Sequence, residues 1–298
     1  MNIDFKKILM TTDNLGGIWT YTMELLSEID KKGIKTALAI MGAPLSANQK
    51  KQLSAFKNIK VYFGDFKLEW MEDPWEDIDE AGEWLLNIRD EFHPDIIHLS
   101  CFSFASLNWG VPVVTVAHSD VISWWRAVIK HPHPKRLNEY FKRVQYGLEN
   151  STAVVAPSKS MMKNINEIYG SFKNEKVIYN GRCKPKSSIR IKEKMIFSLG
   201  KLWDTAKNIS VIVNAAPMLK WKVRIAGNLL NQVAEEFSIH GNVDYVGNLT
   251  PEKVFENLDR ASVFVLPAKY EPFGLSPLEA GLCGCALVLG DIDSFREI

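Results

Sequence analysis

Two glutamates separated by eight positions, Glu271 and Glu279, stand out as groups that could do chemistry. Glu271 follows the strand-like run 263–266, so it is expected at the carboxyl end of a strand, where open α/β sheets bind ligands. A predicted helix begins soon afterwards, and the start of a helix presents unpaired N–H groups and a partial positive charge to anions. The backbone amides predicted to hold a diphosphate there are those of Phe273, Gly274, Leu275 and Ser276.

Both glutamates also have ordinary structural explanations. With Ser276 as N-cap, Pro277 as first and Glu279 as third helical residue, the segment has the pattern of a capping box, which would account for Glu279 without a ligand. Glu271 would otherwise be a solvated carboxylate in a surface loop. Local spacing leaves the structural and the ligand-binding interpretations open.

No metal site is predicted. Asp291-Ile292-Asp293 has the spacing of a metal-binding DxD motif, but it follows the last predicted strand and is interpreted as a turn. Of the four cysteines, Cys283 and Cys285 lie in an apolar stretch with no second pair, which favours packing over metal binding.

Three features of the first half are further candidates. Gly16-Gly17 opens the first predicted helix, where absent side chains allow close approach of a phosphate, a sugar or a neighbouring element. His118 follows the predicted strand 113–116 and has either a structural or a functional role. Shortly after it come residues that either bind a sugar, through indoles stacked on the apolar faces of its rings, or pack into the core: Trp124, Trp125 and Arg126.

Alternating strands and helices must position these residues. Periodicity predicts helices at 18–32, 76–92, 136–149, 159–169, 207–219 and 229–239, with others starting at Thr250-Pro251 and about Ser276. Apolar runs predict strands at 8–11, 36–40, 61–63, 95–99, 113–116, 153–155, 195–199, 223–226, 243–246, 263–266 and 286–289. Such alternation predicts α/β architecture with doubly wound, Rossmann-like parallel sheets.

The pattern pauses before a basic, loop-like stretch from Arg182 to Lys194, which predicts two domains, 1–180 and 181–298. No closing helix is visible after the last strand. We therefore expect the second domain to be either truncated at its C-terminus or unusually short.

The stretch from Ser262 to Gly284 resembles the Glu-x7-Glu signature of retaining GT-B glycosyltransferases of family four, the glycogen synthase and sucrose synthase type, also called group 1 glycosyl transferases. The resemblance implies that Glu271 lies beside the donor sugar and that Glu279 bonds the nucleotide ribose. It also implies the GT-B architecture, in which two Rossmann-like domains face each other across a cleft.

Other segments match the family in the same order. Gly200-Lys201 followed by Lys207 resembles the cation pair that clamps the donor diphosphate, although lysine at 201 replaces the usual arginine and loses its bidentate fork. Without the resemblance these would be two surface lysines. Gly16-Gly17 matches the glycine-rich loop near the donor phosphate, and His118 matches a histidine near the reacting sugar.

The implied activity is transfer of a hexosyl group from a UDP-, GDP- or ADP-linked sugar to a saccharide or lipid-linked acceptor, with retained anomeric configuration and no metal or other cofactor. Glu271 and His118 are the implied catalytic residues. The first domain is expected to bind the acceptor, with Trp124, Trp125 and Arg126 as candidates, and the second domain to bind the nucleotide sugar. Two alternatives stay open: a GT-B sugar-nucleotide epimerase or hydrolase, and a non-catalytic nucleotide-sugar-binding or scaffold protein.

Composition narrows the remaining choices. With 298 residues, 46% hydrophobic and 24% charged, the chain suits two folded domains, and 36 basic against 35 acidic residues give no argument for nucleic-acid binding. The absence of a signal peptide and of a long apolar run predicts a cytoplasmic protein. Four basic residues predicted on one helix face indicate either a solvated surface or a peripheral contact with the inner face of a membrane: Lys135, Arg136, Lys142 and Arg143.

Overall fold

The computed structural model describes residues 5–185, 191–228 and 242–298, and these form two compact α/β units. The first unit takes in the chain as far as Arg126 together with His131–Gly181. The second takes in Ala127–Lys130 and Arg182–Ile298. The main change of unit therefore falls between Gly181 and Arg182.

In the described part of the first unit, seven parallel strands form one sheet in the order β3-β2-β1-β4-β5-β6-β7. The first six strands confirm the predicted ones. The seventh was not predicted, because its residues, Glu-Lys-Val, contain no apolar run. The strands are β1 Lys7–Asp13, β2 Lys35–Met41, β3 Ile59–Gly64, β4 Ile96–Leu99, β5 Val113–Val116, β6 Ala153–Ala156 and β7 Glu175–Val177.

The central strands β1 and β2 are buried at every position but the first, as expected for a parallel sheet covered on both faces. The polar helix Ala47–Leu53 escaped prediction, although Ser46 and Gln49 form a capping box at its start. The helices of this unit are Gly16–Lys31, Ala47–Leu53, Trp75–Phe92, Val121–Val128, Asn138–Asn150 and Lys159–Tyr169, with 3₁₀ turns at Ser103–Ser106 and Lys135–Leu137.

In the second unit, the described strands form a five-stranded parallel sheet in the order β10-β9-β8-β11-β12. All five confirm predicted strands. Their bounds are β8 Glu193–Leu199, β9 Lys222–Ala226, β10 Val243–Tyr245, β11 Ala261–Leu266 and β12 Ala286–Leu289. The α-helices described here are Ser210–Ala215, Pro251–Arg260, Leu275–Leu282 and Asp293–Glu297, and 3₁₀ turns occupy Thr205–Lys207 and Ala216–Met218.

Two predictions for this unit are wrong. The single helix predicted at 207–219 is broken into shorter pieces, because Asn208 adopts a left-handed backbone with φ of 55° and Pro217 lacks an amide donor. A short helix, Asp293–Glu297, follows the last strand where none was expected. The helix predicted at 229–239 lies outside the described residues.

The strand order reverses direction once in each sheet, between β1 and β4 in the first and between β8 and β11 in the second. Loops that follow the strands on either side of such a switch point diverge and leave a crevice for ligands. In the second unit, the loops after β8 and β9 approach each other closely. A Cβ added to Gly227 would lie only 1.9 Å from the Gly200 carbonyl oxygen. This position therefore requires glycine.

Candidate functional site

The loop after β11 leads directly into the helix Leu275–Leu282, and Gly274 is its N-cap. Gly274 has φ of 103°, and a Cβ there would lie 2.8 Å from the Phe295 ring, so both the backbone and the packing require glycine. Ser276 lies inside the helix and does not cap it. The predicted capping box is therefore wrong, and capping does not explain Glu279.

Glu279 instead forms an ion pair with Arg182. The Arg182 Nε lies 2.6 Å from Glu279 Oε1, and the two side chains are only 14% and 9% exposed. The guanidinium also lies over the Phe255 ring, 5.2 Å from its centroid. Sequence reasoning missed Arg182. The signal that could have found it was the placement of a carboxylate on the buried face of a short helix, where it needs a cationic partner.

Lys207 and Glu271 form the second ion pair of this region, with 2.6 Å between Lys207 Nζ and Glu271 Oε2. Both side chains are largely buried. Burial alone would lower the pKa of Lys207, but the charge and hydrogen bond of Glu271 outweigh it and raise that pKa above its usual value. The pair spans the switch point, since Lys207 follows β8 and Glu271 follows β11.

Two hydrogen bonds to backbone carbonyls hold the loops after β8 and β11 together. The Lys269 amide donates to the Ala206 carbonyl at 2.7 Å, and the Asn208 side-chain amide donates to the Pro267 carbonyl at 3.1 Å. Behind them, Ser294 Oγ donates to the Glu271 carbonyl at 2.5 Å. Glu271 is therefore fixed from both sides, unlike a solvated loop carboxylate.

Lys201 has a different environment from Lys207. Its Nζ lies over the Trp203 ring, 5.7 Å from the centroid, and its side chain is partly exposed. The two predicted diphosphate-binding lysines thus have separate aromatic and acidic partners. The amides of Phe273, Gly274, Leu275 and Ser276 lie around the start of the helix Leu275–Leu282.

In the first unit, Gly16-Gly17 is exposed at the start of the helix Gly16–Lys31, directly beyond β1. Gly16 has φ of 58°, which favours glycine. The carboxylate of Asp13 accepts from the Leu15 amide at 2.8 Å and shapes the turn between strand and helix. The glycines therefore lie at the carboxyl edge, beside the switch point of this sheet.

His118 belongs to a cluster of four side chains at the same edge. Its Nε2 lies 3.4 Å from Ser100 Oγ, and its ring packs edge-on against Tyr21. The Tyr21 hydroxyl lies 2.9 Å from Nε2 of a second histidine, His98, which sequence reasoning had not selected. Burial lowers the pKa of His98 to about 4, and burial together with His98 lowers the pKa of His118 to about 3. Both imidazoles are therefore neutral at pH 7.

Trp124, Trp125 and Arg126 lie on the helix Val121–Val128. The two tryptophans line a groove of the first unit, whereas Arg126 is not among the described residues that line it.

The predicted basic helix face is wrong. Lys135 and Arg136 lie in a 3₁₀ turn before the helix Asn138–Asn150, and Arg143 on that helix forms ion pairs with Asp79 and Glu139. Arg136 lies over the Trp125 ring, 5.8 Å from its centroid. Lys135 and Arg136 therefore precede the α-helix that carries Lys142 and Arg143, and the four do not lie on one helix.

Within the described ranges, no group of three or more His, Cys, Asp or Glu side chains has the arrangement of a metal site. Asp291 forms an ion pair with Arg296 and Asp293 begins a helix. No helix of the described chain is both long and apolar enough to cross a membrane.

Family models match both units. The model described as Glycosyltransferase Family 4 matches residues 15–182, and the one described as Glycosyl transferases group 1 matches residues 182–298. This chain belongs to the glycosyltransferase family that these two models describe. The boundary between the two matches coincides with Arg182, the partner of Glu279.

Similar proteins place this glycosyltransferase among GT-B folds. Sucrose-phosphate synthase from Thermosynechococcus elongatus has a TM-score of 0.76 at 15% identity, covering 98% of this chain and 82% of that one. Anabaena HepE, solved in complex with UDP, has a TM-score of 0.70 at 13% identity, covering 98% of this chain and 82% of that one. These likenesses confirm the predicted GT-B fold.

A curated relative shares a shorter stretch with the glycosyltransferase. The alpha-maltose-1-phosphate synthase of Mycolicibacterium smegmatis is 37% identical over 76 residues, which are 22% of this chain and 20% of that protein. The matched part therefore spans about a fifth of that relative's length.

Proposed function

We propose that this glycosyltransferase transfers a hexosyl group from a nucleoside-diphosphate sugar to an acceptor hydroxyl with retained anomeric configuration. The observation that carries the proposal is the buried Lys207–Glu271 ion pair beside the glycine-capped start of the helix Leu275–Leu282. A largely buried ammonium and the backbone amides at a helix start suit a diphosphate, and the adjacent carboxylate suits sugar hydroxyls.

Different groups of the protein then bind different parts of the donor. Lys207 and the amides from Phe273 to Ser276 take the diphosphate, assisted by Lys201. Glu271 hydrogen-bonds the sugar, and Glu279 accepts from the ribose hydroxyls while Arg182 holds its carboxylate in place. In the first unit, neutral His118 hydrogen-bonds a sugar hydroxyl.

In the transfer step, the bond between the anomeric carbon and the diphosphate oxygen breaks. The acceptor oxygen forms the new bond on the same face, and the departing phosphate oxygen takes the acceptor proton. Lys207, Lys201 and the helix amides stabilise the charge that develops on the diphosphate, so the proposed reaction requires no metal ion.

A thermal-shift panel of UDP-, GDP- and ADP-glucose on the wild type and on Glu279→Gln tests the donor assignment. We expect one of the three nucleotide sugars to raise the melting temperature of the wild type, and we expect that rise to be largely lost in the variant. No stabilisation by any of the three would contradict the proposal.

Incubation with the stabilising donor, acceptor candidates and EDTA, followed by NMR of the product's anomeric proton, tests retention and metal independence. Donor alone serves as the control. Formation of an epimer or of free sugar without an acceptor would instead indicate the epimerase or hydrolase alternative.

A further inference from the structure

A groove of 570 Å³ opens in the first unit, within the size range of small-molecule sites. Its walls come from the loop between β3 and the helix Trp75–Phe92, and from the helix Val121–Val128 that follows β5. Both segments leave the sheet at the carboxyl ends of their strands, the edge at which His118 also lies. This is the edge where open α/β sheets bind ligands.

Indole rings dominate both walls. Trp70, which is 43% exposed, lies in the first wall, and the partly exposed Trp124 and Trp125 lie in the second. Trp124 and Trp125 are tilted by 54° with centroids 6.4 Å apart, so they present different faces. Large flat apolar faces of this kind match the C–H faces of sugar rings.

A buried carboxylate anchors each wall. Glu69, next to Trp70, accepts from the amides of Phe102 and Ser103 at 3.2 and 3.1 Å. Ser103 Oγ also donates to Glu69, at 3.0 Å. The wall that carries Trp70 is therefore tied to the chain beyond β4.

Asp120 does the same for the second wall. Its carboxylate accepts from the Ser123 amide at 2.6 Å, and from the hydroxyls of Tyr169 and Tyr140 at 2.6 and 3.3 Å. These bonds fix the start of the helix that carries Trp124 and Trp125. Because both walls are held before any ligand arrives, binding costs little ordering entropy.

The charges that line the groove favour an uncharged ligand. Glu72 and Asp73 contribute carboxylates, whereas Arg136 is the cation among the described lining residues and stacks on Trp125. Carboxylates accept hydrogen bonds from hydroxyl groups but repel phosphates.

We propose that this groove binds the rings of an uncharged saccharide, which serves as the acceptor. The acceptor role rests on the function proposed above, whereas saccharide binding by the groove does not. Trp70, Glu72, Asp73 and Arg136 are the residues that this assigns to the acceptor side beyond Trp124 and Trp125.

Saturation-transfer NMR without donor tests the groove, using maltose, cellobiose, lactose and sucrose as neutral probes and glucose 6-phosphate as the anionic one. We expect transfer to the ring protons of at least one disaccharide and none to glucose 6-phosphate. Trp70→Ala and Trp124→Ala should each reduce the signal at least fivefold, and Trp70→Phe should restore part of it. Tyr146→Ala, which removes a 59% exposed aromatic ring outside the groove, is the matched control and should keep the signal.

The proposal is overturned if no disaccharide gives a signal, if the signal survives both alanine variants, or if glucose 6-phosphate binds better than every disaccharide. Circular dichroism of each variant verifies that it is folded. A UDP titration of the same samples separates the two proposals. UDP binding without saccharide binding defeats the groove alone, and tryptophan-dependent saccharide binding without UDP binding defeats the donor assignment alone.

Discussion

Arg182 and Glu279 are 97 positions apart in the sequence, yet their side chains meet at 2.6 Å. Arg182 is the first residue of the second unit's main segment, and Glu279 lies in the helix that starts at the proposed diphosphate site. The pair therefore fixes the chain at its entry into this unit to the helix that is proposed to bind the nucleotide.

Replacing Glu279 by alanine should destabilise the protein strongly. The change leaves the Arg182 guanidinium largely buried without this partner, and breaking a buried pair typically costs about 3–5 kcal/mol. Urea unfolding of the variant measures the loss. The double variant Arg182→Met with Glu279→Ala should regain much of it, and equal stability of single and double variants would contradict this account.

Lys207→Met should weaken UDP binding by about 30-fold or more, corresponding to about 2 kcal/mol, because a buried charge at the proposed diphosphate site is lost. Lys207→Arg keeps the charge and should bind within a few-fold of wild type. Calorimetric titration measures both affinities. Lys201→Met should have the smaller effect, since Lys201 is partly exposed beside Trp203. Equal losses at both lysines would contradict this ranking.

Acid should unfold the first unit partly through His98. Its folded pKa of about 4 lies below the value near 6.5 expected in the unfolded chain, so the unfolded state binds more protons between these values. This contribution to the free energy of unfolding is fully present above pH 6.5 and is lost as the pH falls toward 4. The loss amounts to about 2 kcal/mol at pH 5.

Urea unfolding at pH 7, 6 and 5 measures this dependence. His98→Gln should be less stable than wild type at pH 7 but should lose less stability on acidification. Parallel losses in the two proteins would show that other groups cause the acid sensitivity. Burial lowers the pKa of His118 further still, so this imidazole should not change its protonation state near pH 6.5. The pH profile of activity should therefore contain no break near pH 6.5 that the variant His118→Gln removes.

Gly290→Ala should disturb the loop that carries Glu271. A Cβ at this position would lie 2.1 Å from the Ala268 carbonyl oxygen, so the backbone must shift, at a cost of about 1–3 kcal/mol. Thermal unfolding and UDP titration should both detect the change. Gly281→Ala is the matched control in the same unit, because it is exposed, nothing approaches its Cβ closer than 4.0 Å and alanine favours the helix. A loss in the control as large as in Gly290→Ala would contradict this prediction.

Strands were predictable from sequence where burial makes them largely apolar, as in β2 and β11. The polar edge strand β7 and the polar helix Ala47–Leu53 lack that signal, because each packs only a small part of its surface. The predicted helix 207–219 is interrupted at Asn208, whose backbone is left-handed. The spacing of apolar residues carries no information about this backbone conformation.

The candidate site was predictable in its loops but not in its pairings. The Glu271 loop and the glycine-led helix follow from local spacing. The partners Arg182 for Glu279, and Tyr21 for His98 across 77 positions, form only when distant strands assemble, so no local pattern contains them.

The Lys207–Glu271 pair gives the proposed donor site a means of rejecting small anions. An ammonium that already has a buried carboxylate partner attracts an isolated phosphate or sulfate ion less strongly than an unpaired ammonium would. A complete nucleotide sugar can offset the loss of that contact with its own ribose and hexose hydroxyls. The pair would then keep the proposed donor site accessible to a nucleotide sugar where free phosphate is abundant.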